Sequence, residues 1–385
     1  MQFYRFCDYI CFRILAYSIF PGPYRAIPNH EKSNMKILVT GTAGFIGFHL
    51  TGLLLEDGHE VVGIDSVNPY YDVNLKYARL REHGIQAEDA RLGTLLTSTK
   101  HPAYRFLRAD LADHDRIVEF MQQERFDYVV NLAAQPGVRY SLEKPREYIH
   151  SNIDGFLSIL EGCRHSGVKH LVYASTSSVY GLNRNMPFSE EQPVDHPIAL
   201  YAATKKANEL MAHAYSHLFG IPTSGLRFFT VYGPWGRPDM APFLFADAIL
   251  KGEPIKIYNH GRMLRDFTYV GDIAESIRRL VVKPVGPDPA WDPSHPTGAS
   301  SSAPYRIFNI GNAAPVPLME FISAIEDSTG VEAKKVFMDM QPGDVPETHA
   351  DTSALEAYVN FRPATGIRDG VGRFVDWYRR YYGKA

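Results

Sequence analysis

A short apolar run, Lys36 to Thr40 (K-I-L-V-T), leads directly into Gly41-Thr42-Ala43-Gly44-Phe45-Ile46-Gly47, and no other stretch constrains the fold as much. Glycines spaced G-x-x-G-x-x-G at a helix start let the backbone approach a pyrophosphate, while the helix N-terminus offers partial positive charge. Helical periodicity continues from Phe45 to Asp57, and a second apolar strand follows, Glu60 to Asp65 (E-V-V-G-I-D). Asp65 stands about 20 residues beyond the loop, where a carboxylate accepts hydrogen bonds from an adenosine ribose. An acid at that point favours NAD over NADP, because it repels a 2′-phosphate. A glycine loop alone can be a plain turn. Strand, glycines, helix, strand and acid in this order read as a dinucleotide site, with Gly41, Gly44, Phe45, Ile46, Gly47 and Asp65 as cofactor-binding residues.

Further strands are expected at Tyr104 to Ala109, Asp127 to Leu132 and Lys169 to Ala174, with helices around Asp115 to Gln123 and Tyr148 to His165. Short apolar strands alternating with helices mean βαβ units and a parallel sheet. The fold class is therefore α/β, a Rossmann-type doubly wound parallel sheet with a smaller C-terminal α/β substrate-binding portion. Residues 35–226 are expected to be mainly the cofactor-binding domain. Residues 227–385 are expected to form mainly the substrate portion, interleaved with it. Lys283 to Pro304 reads as a Pro/Ser-rich surface loop, and helices at Pro317 to Ser328 and Ile367 to Tyr382 close the chain.

Ligands of open parallel sheets bind at the carboxyl ends of the strands. Asp110 and Leu111 follow the third strand, where the acid either meets the adenine amino group or caps the next helix. Ala133, Ala134 and Gln135 follow the fourth, and the small residues let its backbone pass close to a cofactor.

Tyr201 and Lys205 (Y-A-A-T-K) stand four apart where a helix is expected from Ala199 to Phe219, which places both on one face. Tyrosine is a poor base at its usual pKa of about 10. A neighbouring ammonium, together with a positive nicotinamide ring, favours the phenolate and lowers that value. The strand ending at Ala174 continues into Ser175-Thr176-Ser177-Ser178, hydroxyls able to hold a substrate oxygen against Tyr201. Y-x-x-x-K by itself arises by chance; after a dinucleotide loop and a hydroxyl-rich strand end it reads as catalytic.

These motifs resemble the extended short-chain dehydrogenase/reductases and, within them, the nucleotide-sugar epimerases. The resemblance covers nearly all of Met35 to Gly383. Gln135 to Ser141 (Q-P-G-V-R-Y-S), Arg227 to Met240 (R-F-F-T-V-Y-G-P-W-G-R-P-D-M) and Gly261 to Val270 (G-R-M-L-R-D-F-T-Y-V) resemble the UDP-glucuronate 4-epimerases. The resemblance implies Thr176 as the catalytic hydroxyl beside Tyr201 and Lys205, anchored on Val179-Tyr180-Gly181. It implies NAD as cofactor and a UDP-sugar substrate met by Thr176, Ser177, Ser178, Arg139, Arg227, Thr230, Arg237 and Arg265. Arg237 and Arg265 are the candidates for the diphosphate, Arg139 and Arg227 for the carboxylate or the pocket's shape. Asp266 and Asp272 are expected to fix loops or helix starts, and His260 has no partner implied by spacing.

Relatives that eliminate water or decarboxylate carry an acid directly after the Ser/Thr, a group that can move the extra proton. Here Ser177 and Ser178 stand in that place. Oxidation and re-reduction at carbon 4 through a 4-keto sugar is the expected reaction, most simply UDP-glucuronate to UDP-galacturonate. A carbon-5 epimerase and a net NAD-dependent ketoreductase or dehydrogenase are the alternatives.

Composition narrows the class further. Forty Lys+Arg against 43 Asp+Glu give a net charge of −3, which argues against a broad basic face for nucleic acid. Three cysteines cannot staple 385 residues, so a reducing, cytoplasmic location is expected. Residues 1–34 read as an extension outside the fold. Its apolar stretch is broken by Arg5, Asp8 and Arg13, so no membrane partner is expected. Cys7 and Cys11 lie within it and lack the further ligands a metal needs. The stretches at Tyr148 to His165 and Ala199 to Phe219 suit a homodimer packed through two helices from each subunit.

Overall fold

The computed structural model describes residues 34–341 and 345–383. Apart from Asn34, the extension with Cys7 and Cys11 lies outside the described residues. In chain order the first elements are β1 (Lys36–Thr40), α1 (Phe45–Glu56), β2 (Glu60–Asp65), α2 (Val73–Glu82), β3 (Thr94–Thr97) and β4 (Tyr104–Arg108). Next come α3 (His114–Glu124), β5 (Tyr128–Asn131), α4 (Gly155–Ser166), β6 (His170–Thr176), α5 (Leu200–Phe219), β7 (Thr223–Phe228) and β8 (Thr230–Tyr232). The chain continues through α6 (Ala241–Lys251), β9 (Pro254–Ile257), β10 (Phe267–Tyr269), α7 (Val270–Val281) and β11 (Tyr305–Ile310). It closes with α8 (Leu318–Thr329), β12 (Lys334–Phe337) and α9 (Ile367–Tyr382).

Eight strands form one sheet in the order β11-β7-β6-β5-β1-β2-β4-β3. Every neighbouring pair is parallel except β3 with β4 at the edge. Alternation along β1 shows why both faces are covered. Ile37 and Val39 join a core with α1, α7 and α9, while Leu38 joins a second core with Ile117 and Met121 of α3 and Phe156, Ile159 and Leu160 of α4. A parallel sheet buried on both sides needs such continuous apolar strands. Helix α9 is the simplest amphipathic case: Val371, Phe374, Val375 and Tyr378, at helical spacing, face the core.

Strand order reverses at β1. From it the chain builds outward to β2, β4 and β3 on one side, then returns to β5, β6, β7 and β11 on the other. Such a switch point leaves a crevice beyond the carboxyl ends of β1 and β5. Residue 227 falls inside β7, and β11 returns from the C-terminal part to pair with it. Two short parallel pairs, β8 with β10 and β9 with β12, lie outside the main sheet.

Three local expectations need correction. The helix expected from Tyr148 begins as a π-helical turn, Ile149–Asp154, before regular α4 starts at Gly155. Strand β6 runs to Thr176, two residues beyond Ala174, so Thr176 is itself the strand's last residue. Helices α2, α6 and α7 and strands β7 and β11 are present where no local pattern announced them.

Candidate functional site

The crevice at the switch point holds a cavity of about 380 Å³. Gly41, Gly44, Phe45, Ile46 and Gly47 form one wall. Gly41 has φ +75°, and a Cβ there would stand 2.9 Å from the backbone nitrogen of Ala133. A Cβ on Gly47 would meet the Gly41 carbonyl at 2.2 Å. The loop is therefore as tight as its glycines allow, and α1 starts at Phe45 with Gly44 in extended conformation and no capping side chain. Its first amides are left for a ligand.

Asp65 closes β2 and lines the same cavity. Its carboxylate accepts from the amides of Ala43, at 3.2 Å, and Val67, at 2.8 Å, which fixes it at the loop's edge. Across the β1–β5 boundary, the Thr40 hydroxyl donates to the Asn131 amide oxygen at 2.7 Å and accepts from the Ala133 amide at 3.0 Å. That pairing holds Ala133 and Ala134 against the cavity. Asp110 and Leu111 line it too. Asp110 accepts from the Ala112 amide at 3.0 Å and pairs with His150 at 3.0 Å, whereas the helix cap of α3 is Asp113. The tight backbone cradle, the tethered carboxylate and the small strand end fit an adenine dinucleotide.

Thr176, Ser177 and Ser178 at the end of β6 line the cavity together with Tyr201 and Lys205 of α5, and so do Thr230 and Arg237. The Thr176 hydroxyl donates to the Ser178 hydroxyl and accepts from the Ser178 amide, each at 3.2 Å. Burial raises the Tyr201 phenol above its usual range, and the Thr176 hydroxyl and the Arg237 guanidinium pull it back only partly. The lowered phenol expected beside Lys205 is therefore not produced by this chain's residues alone, because loss of water penalises phenolate more than these groups favour it. Lys205 is 2% exposed. Burial lowers its ammonium to about 8, against the opposing pull of Glu209.

Four expected ligands lie outside the cavity lining. Gln135 is buried; its amide donates to the Asn152 side chain at 2.7 Å. Arg139 lies over the Tyr258 ring, 5.4 Å from its centroid. Arg265 donates to the carbonyls of Leu264, Val345 and Pro346. Arg227 is fully buried, with Nε and Nη2 forked onto Glu209 at 2.9 and 3.0 Å and Nη1 on the Tyr180 hydroxyl. A guanidinium so deeply paired is committed to the fold and does not reach the cavity. Of the arginines put forward, Arg237 alone lines the cavity, its fork held by Asp239 at 3.0 and 2.6 Å. Burial lowers the Arg237 guanidinium pKa, but Asp239 outweighs it and holds the group above its ordinary value.

Asp266 accepts from the amides of Asn312 and Ala350, and Asp272 from Ala364 and Thr365, so both secure distant loops. His260 does have a partner, Asp339 at 3.0 Å. Sequence reasoning missed Lys76 and Asn68, which line the cavity beside Asp65. Lys76 donates to the Asn68 side chain at 2.7 Å and to its carbonyl at 2.8 Å. The missing signal was α2 itself: once V-N-L-K-Y-A-R-L-R-E is a helix, Lys76 and Arg79 fall on its buried side.

The NAD dependent epimerase/dehydratase family matches residues 37–311. Protein CapI of Staphylococcus aureus is 54% identical over 350 residues, covering 91% of this chain and 100% of that one. A probable UDP-glucuronate 4-epimerase of Rhizobium meliloti is 47% identical over 352 residues, covering 91% and 99%. The solved structure of UDP-glucuronic acid 4-epimerase from Bacillus cereus, in complex with UDP-glucuronic acid and NAD, is similar with a TM-score of 0.76 at 31% identity. That match covers 90% of this chain and 100% of the other. The fold, the glycine cradle and these matches agree: the chain belongs to the NAD dependent epimerase/dehydratase family.

Proposed function

We propose that this enzyme interconverts UDP-glucuronate and UDP-galacturonate by NAD-dependent epimerisation at carbon 4. One observation carries the choice of chemistry. Among the described residues lining the cavity, the carboxylates are Asp65, which ends β2, and Asp110, which follows β4, both on the far side of β1 from Thr176. No acid in the lining stands beside Tyr201 to drive elimination or decarboxylation, so the hydroxyl at the strand end and the phenol on α5 support oxidation and re-reduction at one carbon.

Held by the glycine loop and Asp65, NAD would supply the acceptor and donor of hydride for carbon 4. Tyr201 takes the proton of the 4-hydroxyl and gives it back, while Thr176 hydrogen-bonds the same oxygen. Lys205, one turn along α5, holds positive charge beside the phenol and positions the cofactor's ribose. Arg237 is assigned to the diphosphate, Ser177, Ser178 and Thr230 to the sugar. The freed 4-keto sugar presents its other face before the proton is returned. Residues 35–226 serve mainly the cofactor and those from 227 mainly the substrate, joined through β7 and β11. A homodimer through α4 and α5 is supported by exposed Leu157, Leu210, Leu218 and Phe219 on those helices.

The test uses purified protein, UDP-glucuronate and no added NAD or NADH, with products identified by NMR. UDP-galacturonate should appear, and Tyr201→Phe should slow its formation by a factor of about 10² to 10⁴. Accumulating NADH or a decarboxylated sugar overturns the reading.

A further inference from the structure

Arg79 on α2 is fully buried, and among the described residues it has no carboxylate partner. A buried cation ordinarily finds one, because desolvating an unpaired charge is costly. Its two terminal nitrogens donate instead to neutral oxygens on two separate segments, and its Nε has no hydrogen-bond partner among the described residues. Nη1 donates to the Ala43 carbonyl in the glycine loop at 2.8 Å and to the Tyr71 hydroxyl at 2.7 Å. Nη2 donates to the Trp235 carbonyl at 2.7 Å and the Gly236 carbonyl at 3.4 Å. Trp235 sits at φ +62°, a left-handed conformation that a bulky side chain seldom adopts unless its surroundings hold it there.

Two neighbouring links run the same way. His49 on α1 bonds the Pro234 carbonyl at 2.9 Å, so consecutive carbonyls, 234 and 235, are gripped from the cofactor side. Tyr70 donates to Asp239 at 3.1 Å, and Asp239 holds the Arg237 fork. Arg79 also puts a full positive charge directly behind the loop whose amides face the cavity. Through a low-dielectric interior that charge would attract an anion bound on the loop's other side.

We propose that Arg79 is a positioning residue that ties the glycine loop and the Arg237 segment into one unit. Retention of the cofactor and binding of the substrate diphosphate then rise and fall together. The second half rests on the reading of Arg237 as a diphosphate ligand.

Arg79→Lys keeps the charge but cannot fork to both carbonyls; Arg79→Met removes both functions. Three measurements apply: NAD retained after gel filtration, amide exchange over residues 233–240 in NAD-loaded protein, and KM against kcat with UDP-glucuronate. Arg79→Lys should raise KM, speed exchange over 233–240 and lower retained NAD by about tenfold each, with kcat changed by less than about threefold. Arg79→Met should move all three readouts further in the same direction. Exchange over 233–240 unchanged in both variants overturns the proposal, and so does faster exchange spread evenly over the whole sheet. NAD loss with KM unaltered also overturns it. If the parent chain turns over no UDP-glucuronate, the substrate reading fails, yet the exchange and retention measurements use no sugar nucleotide and still decide the coupling.

Discussion

Tyr201 and Lys205 stand one turn apart on α5, and burial acts on them in opposite senses, pushing the phenol up and the ammonium down to about 8. Both shifts disfavour the charged pair. Bound cofactor therefore has to bring the missing positive charge to the phenol. Tyr201→Phe is expected to lower kcat by a factor of about 10² to 10⁴ with little change in KM, measured by NMR turnover. Glu209 is the group that raises Lys205 against its burial. Glu209→Gln should consequently move the alkaline limb of the kcat/KM profile to lower pH, because Lys205 then loses its proton sooner. An unchanged limb would show that another group sets it. Arg227 illustrates what a single chain cannot disclose. As a guanidinium inside a resembling motif it read as a ligand, but its partner Glu209 lies 18 residues back on another element.

At the scale of elements, β1, β2 and β4 to β6 were legible because each is a short apolar run between turn signals. Strand β7 was not. Its T-S-G-L-R-F hides Ser224 and Arg227 in the core, each satisfied by a distant partner, His170 and Glu209. Helix α7 was missed for the same reason: it is buried on almost every side and matches its inward Glu275 with Arg278 and Arg279. The glycine loop lay at the other extreme, since Gly44 and Gly47 are dictated by contacts with Gly41 inside the loop itself. Gly47→Ala would place a Cβ 2.2 Å from the Gly41 carbonyl. Bound NAD after purification should fall by at least about tenfold, measured by absorbance of the released nucleotide, with the sheet's circular dichroism retained.

Across the whole molecule, three histidines report on acid stability. Burial lowers His49 to about 3 and His83 and His170 to about 4. Each is neutral when folded and gains a proton on unfolding below its ordinary value of about 6.5, so stability is lost as pH falls from there toward 4. With three protons taken up, the slope approaches about 4 kcal/mol per pH unit, measurable from urea midpoints between pH 6 and 4. A flat midpoint over that window would contradict it. Leu210→Glu, on the exposed side of α5, should shift sedimentation toward the monomer if α4 and α5 form the subunit interface.

The long connection between α7 and β11 has a practical use. Residues 282–304 contain no helix or strand, are mostly exposed from 286 to 298, and contribute nothing to the cavity lining. They also lead into β11, the outermost strand of the sheet on that side. Such a segment accepts inserted chain far more readily than the core does. A fluorescent reporter or an affinity handle spliced in after Ser294 should leave turnover intact, which would give this enzyme a permissive site for imaging or immobilisation without touching either terminus.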